Sequence, residues 1–186
     1  MRDEDAQAFV DFYEDHVWHV YGFFGYRVGS REDAEDLTQV TFERAMNAWH
    51  RFDESRASGS TWLLAIARNL LVDHYRRIGS RPEQPIELGG GADPGPAVES
   101  PQEGRLGISP ELAEGLSRLR DRDRELVALR FGADLTGPEI ARLTGLSLAN
   151  VQQILSRSLR RLRAQLESAE AERTPRPARR RQPSPA

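Results

Sequence analysis

The 186-residue sequence contains no cysteine and no lysine, so all 26 of its basic residues are arginine. The absence of cysteine excludes disulfides and cysteine-ligated metal sites, as expected for a chain in a reducing compartment. No apolar run is long enough to span a bilayer, because the longest, residues 62–72, contains Arg68 and Asn69. The acidic N-terminus also lacks the apolar core of a signal peptide. We therefore expect a cytoplasmic chain without membrane contact.

The chain also lacks an overall positive charge, with 29 acidic residues against 26 arginines and a formal net charge of −3. The charge is arranged in alternating blocks. Residues 1–60 are acidic, with 13 acidic residues against 6 arginines, and so are residues 83–114, with 7 acidic residues against 1 arginine. Residues 61–82 are basic, with 4 arginines against 1 acidic residue, and so are residues 115–186, with 15 arginines against 8 acidic residues. This alternation predicts more than one kind of partner.

A segment rich in glycine and proline divides the sequence. Between Gly79 and Pro110 there are 7 glycines, 6 prolines and few large apolar residues. Such a composition supports neither a regular helix nor a packed core. The C-terminal end is basic and interrupted by prolines, which predicts disorder there. The predicted divisions are an N-terminal unit (residues 1–78), a flexible acidic linker (79–109), a C-terminal unit (110–168) and a disordered basic tail (169–186).

Both units show helical periodicity and no strand signal, which predicts an all-α fold. Ser30 is expected to cap a second helix, and a third is expected over about residues 61–78. In the C-terminal unit, Ser109 followed by Pro110 predicts another helix start. The inward side of the first helix is predicted from apolar residues at three- and four-residue spacing: Phe9, Phe12, Tyr13, Val17, Val20, Tyr21 and Phe24.

Residues 135–163 have the pattern of a helix-turn-helix. Thr136 and Glu139 have the spacing of a capping box, and Gly145 suits the left-handed residue that ends a short helix. Ser147 is then expected to cap a second, longer helix. The apolar side of that helix is predicted to consist of Val151, Leu155, Leu159, Leu162 and Leu166.

The opposite side of this second helix is polar and indicates DNA binding. In a helix-turn-helix the second helix enters the major groove, where Asn and Gln pair with adenine and Arg with guanine. No acidic residue occurs between Ile140 and Leu166, so nothing there repels a phosphate backbone. The predicted DNA-contacting residues are Ser147, Asn150, Gln152, Gln153, Ser156, Arg157, Arg160 and Arg161.

Two stretches of the N-terminal unit also carry unusual side chains. Residues 31–52 are predicted to form a helix with acidic residues on one side, which alone is typical of a solvated surface. Residues 61–77 combine Trp62 with several arginines. Aromatic rings interleaved with arginines suit unstacked bases beside a phosphate backbone.

The motifs DAEDLTQ and WLLAIARNLLVDHYRR, followed by a linker and the helix-turn-helix, resemble a known family. They are similar to bacterial extracytoplasmic-function sigma factors, group IV of the sigma-70 family. The resemblance covers nearly all of residues 6–166, in the family's order. It implies two small helical domains, called sigma-2 and sigma-4, joined by a flexible linker. It also implies a promoter-specificity subunit that is not an enzyme and needs no cofactor or metal.

The resemblance implies partners and binding residues as well. The implied partners are promoter DNA and core RNA polymerase, the latter bound through its beta-prime clamp helices and beta flap, with an anti-sigma factor as a further candidate. The helix after Ser147 matches the reader of the −35 element. The residues that match the polymerase contact are Asp33, Asp36, Gln39 and Glu43. Those that match the part of sigma-2 recognising and melting the −10 element are Phe52, Trp62, Arg68, Asn69, Asp73, Arg76 and Arg77.

Two other classes of protein remain open. A conventional helix-turn-helix regulator would bind duplex DNA without polymerase, and residues 1–78 would then sense a ligand or mediate dimerisation. A metalloprotein or enzyme would need a site such as His16 and His19, which lie three residues apart on a predicted helix. Paired histidines on an amphipathic helix without further ligands are usually structural or solvated.

Overall fold

The computed structural model describes residues 3–79 and 108–173, and both parts consist of helices. The N-terminal part contains α1 (Asp3–Gly25), α2 (Arg31–Ala48), a 3-10 turn (Trp49–Arg51) and α3 (Gly59–Arg77). The C-terminal part contains α4 (Pro110–Ser117), α5 (Asp121–Val127), a π-helical turn (Ala128–Gly132), α6 (Gly137–Thr144) and α7 (Leu148–Arg173). These parts contain no strand, which confirms the all-α prediction. None of their helices has the length and apolar character that crossing a membrane requires. The predicted linker lies almost entirely outside the described residues.

The helix starts follow local capping chemistry, as predicted. Ser30 Oγ accepts a hydrogen bond from the Asp33 amide at 3.3 Å, and Ser109 Oγ accepts one from the Leu112 amide at 3.3 Å. Each bond satisfies a backbone N–H group of the first turn, where the helix itself offers no acceptor. Pro110 directly follows the second cap, where its missing N–H costs nothing.

Helices α1, α2 and α3 pack around a core of aromatic and aliphatic side chains. Most of the predicted inward side of α1 is buried or half-buried, but Tyr13 is 43% exposed. Its ring instead packs edge-on against the Phe42 ring of α2, with centroids 4.7 Å apart. Phe23, which the predicted stripe omits, is fully buried. Periodicity alone could not place these two residues, because both lie where tertiary contacts decide the width of the apolar face.

The long helix α7 differs from its prediction in two respects. Leu159 is 42% exposed, and the buried line instead includes Ile154 and Ser158. The helix also continues to Arg173, so the prediction of disorder from residue 169 is wrong for its first residues. Alanine and glutamate dominate the segment after residue 163 and favour helix, and the first helix-breaking proline is Pro175.

The two parts are packed against each other. One continuous cluster of buried side chains includes Phe23 and Phe24 from α1 and Leu126, Leu129 and Ile140 from the C-terminal part. Each of these five residues is fully shielded from solvent. The C-terminal part therefore packs on the first helix of the chain, chiefly through the π-helical turn, a contact that the sequence did not predict.

Candidate nucleic-acid and protein interfaces

The predicted protein-binding residues form an acidic strip along α2. Asp36, Gln39 and Glu43 are exposed and Asp33 is half-buried. Their spacing of three and four residues brings them to one side of the helix, opposite the core. Gln39 Nε2 donates a hydrogen bond to Glu43 Oε1 at 2.9 Å. The structure thus brings all four predicted residues together on one surface.

An apolar groove between α1 and α2 borders this acidic strip, and sequence reasoning missed it. The groove has a volume of about 640 Å³, and Gln39 and Glu43 are among its lining residues. Its walls include Tyr13, Trp18 and Met46, of which Trp18 is 74% exposed. Adjacent exposed apolar side chains of this size mark interaction sites. The sequence feature that could have indicated the groove is Trp18, an apolar residue of α1 that lies outside the predicted inward stripe.

Some of the predicted −10 residues on α3 are exposed to solvent, and others contact the rest of the protein. Asn69, Arg76 and Arg77 are exposed. Arg76 Nη2 lies 3.3 Å from Asp73 Oδ1, one helical turn earlier. Because this pair is at the surface, it leaves Arg76 free to rearrange toward a phosphate. The C-terminal half of α3 therefore presents two arginines and an amide to solvent.

Phe52 and Trp62 belong to an aromatic cluster at the start of α3. Their ring centroids are 4.8 Å apart, and the Phe12 ring lies 5.3 Å from Phe52 and 6.0 Å from Trp62. The Trp49 ring stacks on Phe52 at 5.3 Å. These contacts fix the loop of residues 52–58 against the core. A base contact by either residue stays a prediction, and packing is the role visible in the structure.

Arg68 points away from the exposed group, toward the C-terminal part. Its Nε lies 2.7 Å from Glu125 Oε1, and its Nη1 donates to the Leu143 carbonyl oxygen at 2.8 Å. The structure therefore does not bring Arg68 together with the solvent-exposed arginines of α3. Its predicted partner was a nucleic acid, whereas its partner here is another part of the same chain.

The turn before α7 has the predicted helix-turn-helix chemistry. Glu139 Oε2 accepts hydrogen bonds from the Thr136 amide at 2.8 Å and the Thr136 hydroxyl at 2.6 Å. The hydroxyl bond lowers the pKa of Glu139 below its usual value. Gly145 ends α6 with φ of 72°, and Ser147 Oγ accepts a bond from the Asn150 amide at 3.2 Å. These caps fix where α7 begins.

The polar side of α7 faces solvent along its first four turns. Asn150 is half-buried, and every other predicted −35 residue is exposed. Arg160 Nε donates to the Ser156 carbonyl oxygen at 3.4 Å, and Arg161 Nη1 lies 3.8 Å from Asp123 Oδ2 of α5. The structure thus brings these residues together on one open face, with Arg161 at its edge.

The two histidines of α1 lie close together, and His16 packs against Phe12. His16 Nδ1 lies 2.8 Å from the Phe12 carbonyl oxygen, and its ring stacks on the Phe12 ring at 4.4 Å. The His19 ring lies 6.2 Å from it. Within residues 3–79 and 108–173, no three side chains of His, Cys, Asp or Glu are grouped to hold a metal ion.

Two family models match the sequence, and together they cover both packed parts. They are sigma-70 region 2, over residues 12–81, and sigma-70 region 4, over residues 115–164. The first match includes the acidic strip and α3, and the second includes the helix-turn-helix. Fold and matches together define a protein of the sigma-70 class.

Individual relatives narrow that class. The chain is 32% identical over 168 residues to the ECF RNA polymerase sigma factor RpoE of Cereibacter sphaeroides, covering 88% of this chain and 89% of the relative. It is 32% identical over 160 residues to the ECF RNA polymerase sigma factor BldN of Streptomyces coelicolor, covering 85% of this chain but only 60% of that relative. The chain therefore belongs to the extracytoplasmic-function family of RNA polymerase sigma factors, and its function is that of a sigma factor.

A solved structure supports the fold independently. The chain resembles the sigma factor RpoE of Bartonella quintana, crystallised in complex with the anti-sigma factor NepR, with a TM-score of 0.60 and 18% identity. The match covers 89% of this chain and 98% of the other.

Proposed function

We propose that this sigma factor uses three separate surfaces for three partners. The acidic strip of α2 and its apolar groove bind core RNA polymerase, the exposed end of α3 contacts the −10 element, and the polar side of α7 reads the −35 element. The observation that carries the proposal is the separation of charge. The strip is acidic, whereas no acidic residue occurs between Ile140 and Leu166, a range that covers the end of α6 and most of α7. The chain itself performs no covalent chemistry, and it acts in the cytoplasm.

The polymerase contact combines charge with apolar area. Asp36 and Glu43 attract a basic surface and orient its approach, which raises the rate of productive encounters. The groove beside them accepts apolar side chains, and Trp18 at its edge offers a large, rigid anchor. The proposed partner surface is therefore a helical element with basic and apolar residues, as the resemblance assigns to the polymerase clamp.

The geometry of α7 supports the proposed −35 contact. The capped turn fixes the start of the helix, so Gln152, Gln153 and Ser156 project from its first three turns. Glutamine side chains offer a donor and an acceptor to adenine, and Arg157 suits guanine. Arg160 lies further along the helix, where a phosphate contact fixes register rather than sequence.

The −10 contact depends on α3 and the loop before it. Asn69, Arg76 and Arg77 are available in the structure for bases and phosphates. The aromatic cluster around Trp62 positions the loop that leads into the helix. Bases trapped outside the duplex stack on protein side chains at roughly 1–3 kcal/mol each, which offsets the cost of melting. When both parts of the chain are held on one polymerase, binding of one promoter element raises the effective concentration of the other DNA contact, so two weak contacts together bind tightly.

Charge reversal on the acidic strip tests the polymerase contact. We expect the Asp36→Arg/Gln39→Arg double variant to lose binding to purified core polymerase and promoter-specific run-off transcription together. A Glu167→Arg variant, which changes an exposed acid on α7, is the matched control and should retain both. Circular dichroism should show that all three proteins keep their helical content. Tight, sequence-specific duplex binding by the chain alone, with no effect of core polymerase, would favour the conventional regulator instead.

A further inference from the structure

The loop of residues 52–58, which joins the 3-10 turn to α3, is closed by one of its own side chains. Asp53 Oδ1 accepts hydrogen bonds from the Ser55 amide at 2.9 Å and from the Ser55 hydroxyl at 2.7 Å. The Asp53 carbonyl oxygen accepts another from the Arg56 amide at 3.0 Å. An aspartate that binds the backbone two residues later takes the place of a backbone turn. The shape of residues 53–56 therefore depends on the Asp53 side chain.

The other end of the loop rests on two rings of α1. Gly59 is the first residue of α3, and a Cβ atom on it would lie 2.4 Å from Phe12 Cε2 and 2.8 Å from His16 Nε2. Gly59 does not have a left-handed φ. The close contact with the rings, rather than the local backbone conformation, is therefore what requires glycine at this position.

Neither ring is free to move away from Gly59. The Phe12 ring lies inside the aromatic cluster, with the Trp49 centroid 4.9 Å away and the Phe52 centroid 5.3 Å away. The His16 ring stacks on Phe12 at 4.4 Å, and its Nδ1 lies 2.8 Å from the Phe12 carbonyl oxygen. Closely packed side chains respond to an added methyl group by shifting the backbone. A side chain at position 59 would therefore displace the start of α3 and the loop before it.

The side chains between these two fixed points are available to a ligand. Glu54, Ser55 and Arg56 are exposed, and Arg56 is the only basic residue among residues 52–58. An arginine next to aromatic rings suits an unstacked base and its phosphate. A loop that already has its bound shape loses little conformational entropy on binding. Residues that fix the loop can thus raise affinity without touching the ligand.

We infer that Asp53 and Gly59 are positioning residues for the −10 contact of this sigma factor. Asp53 closes the turn, Gly59 fixes the junction with α3, and together they hold residues 54–56 in the shape that meets unpaired bases. Neither residue needs to contact DNA itself. The inference rests on the proposed function, which assigns the −10 element to α3 and the loop before it.

The size of the effect follows from the fraction of molecules in which the loop has its binding shape. The apparent dissociation constant of a ligand that needs this shape rises by the inverse of that fraction. If a variant loop has the shape in roughly one molecule in ten, binding of the −10 strand becomes about tenfold weaker.

Asp53→Asn and Asp53→Ala separate the turn from the charge. The Ser55 hydroxyl bond lowers the pKa of Asp53, so the parent carries a carboxylate at neutral pH and both variants remove one negative charge. Asparagine keeps an oxygen acceptor, whereas alanine has none. Because an acid opposes binding of a phosphate backbone, charge alone predicts that neither variant binds DNA more weakly than the parent. Positioning predicts weaker binding for Asp53→Ala alone.

Gly59→Ala tests the other end of the loop. Alanine favours a helix more than glycine does, but its Cβ would overlap Phe12 and His16. Ser60→Ala, at the next position of α3, is the matched control because serine already has a Cβ. Circular dichroism should show the same helical content in every variant. Asp53 is exposed, so its variants should fold even if Gly59→Ala does not.

The measurement is DNA binding by holoenzyme assembled from purified core polymerase and the full-length chain. One fluorescent probe is a single strand spanning the −10 element of a promoter that the parent transcribes, and the other is a duplex carrying only its −35 element. We expect Asp53→Ala and Gly59→Ala to bind the −10 strand about tenfold more weakly. Asp53→Asn and Ser60→Ala should bind it at least as tightly as the parent. All four should retain parental affinity for core polymerase and the −35 duplex, a pattern that general destabilisation would not produce.

Three results would contradict this account. Equal affinity of Asp53→Ala and Asp53→Asn for the −10 strand would overturn the role of Asp53, and parental affinity of Gly59→Ala would overturn that of Gly59. Equal losses on both DNA probes would also overturn the inference, because they would show damage beyond the loop. A parent holoenzyme that binds the −10 strand no better than a scrambled strand would contradict the proposed function itself.

Discussion

The two candidate DNA surfaces of this molecule differ in how available they are. On α7, the predicted −35 residues are almost all exposed, and a capped turn fixes where the helix begins. On α3, the predicted −10 residues are split. Asn69 and Arg77 face solvent, Trp62 packs in an aromatic cluster, and Arg68 is bonded to Glu125.

This difference matches the physical tasks proposed for the two surfaces. Reading a duplex needs a preformed helix that fits an existing groove, so an exposed and rigid face is sufficient. The α3 side chains proposed to contact melted bases include two that already have structural contacts, because Trp62 packs against Phe52 and Arg68 pairs with Glu125. The four predictions below test the difference, beginning with the largest expected effect.

Trp62 should contribute more to stability than to DNA contact. Its ring packs against Phe52 and Phe12, so Trp62→Ala should lower the free energy of unfolding by about 3 kcal/mol. Urea unfolding followed by circular dichroism measures this loss, and Trp62→Phe should lose much less. Normal stability combined with lost transcription would show instead that Trp62 acts directly on DNA and that the aromatic cluster is secondary.

Side chains on the exposed polar face of α7 should contribute to DNA binding rather than to stability. We expect Gln153→Ala or Arg157→Ala to weaken −35-dependent promoter binding about tenfold, as the loss of one base contact would. The midpoint of thermal unfolding should not change, because both side chains are exposed. Arg118→Ala, an exposed arginine on α4, is the control. Equal binding by all three variants in a promoter footprinting titration would remove α7 as the reader.

The capping box should stabilise the turn that presents α7. Thr136→Ala removes the hydroxyl that donates to Glu139 at 2.6 Å, and loss of such a cap costs about 1 kcal/mol. The measurement is urea unfolding at neutral pH. Thr136→Ser keeps the hydroxyl and should be close to the parent. If alanine and serine behave alike, the hydroxyl bond contributes nothing to the turn.

The contact between Thr136 and Glu139 should also make stability depend on pH, and this is the smallest effect expected. The pKa of Glu139 is lowered from its usual 4.5, chiefly by the Thr136 hydroxyl bond. The folded state therefore favours the ionised carboxylate. Its contribution is fully present above pH 4.5 and is lost as the pH falls through the lowered pKa. The stability difference between the parent and Glu139→Gln should shrink over that range. A constant difference would mean that Glu139 is not ionised in the cap.

Local chemistry explains why some features were predictable from the sequence and others were not. Ser30, Ser109 and the Thr136–Glu139 pair act on backbone groups within three residues, so their spacing was sufficient to place three helix starts. Leu159 was misplaced because the buried side of α7 depends on what packs against it.

The contact between the two parts could not be predicted at all. Arg27 and Asp121 are separated by 94 positions in the sequence, and nothing near either residue indicates the other. Gly22 and Gly132 resemble any other glycines until the backbones meet. The groove beside α2 likewise could not be predicted from Trp18 alone, because it forms only when two helices pack side by side. Sequence patterns thus predicted candidate interaction surfaces, whereas tertiary structure determined which of their side chains are exposed and which contact other parts of the chain.

Run-off transcription with purified core polymerase tests the central claim most directly. On a set of genomic promoters, we expect discrete transcripts only when this protein is added. The Asp36→Arg/Gln39→Arg variant should abolish them, and Glu167→Arg should preserve them. Transcripts that are absent for every promoter, or that are unaffected by reversal of the acidic strip, would contradict the assignment of this chain's surfaces to polymerase and promoter.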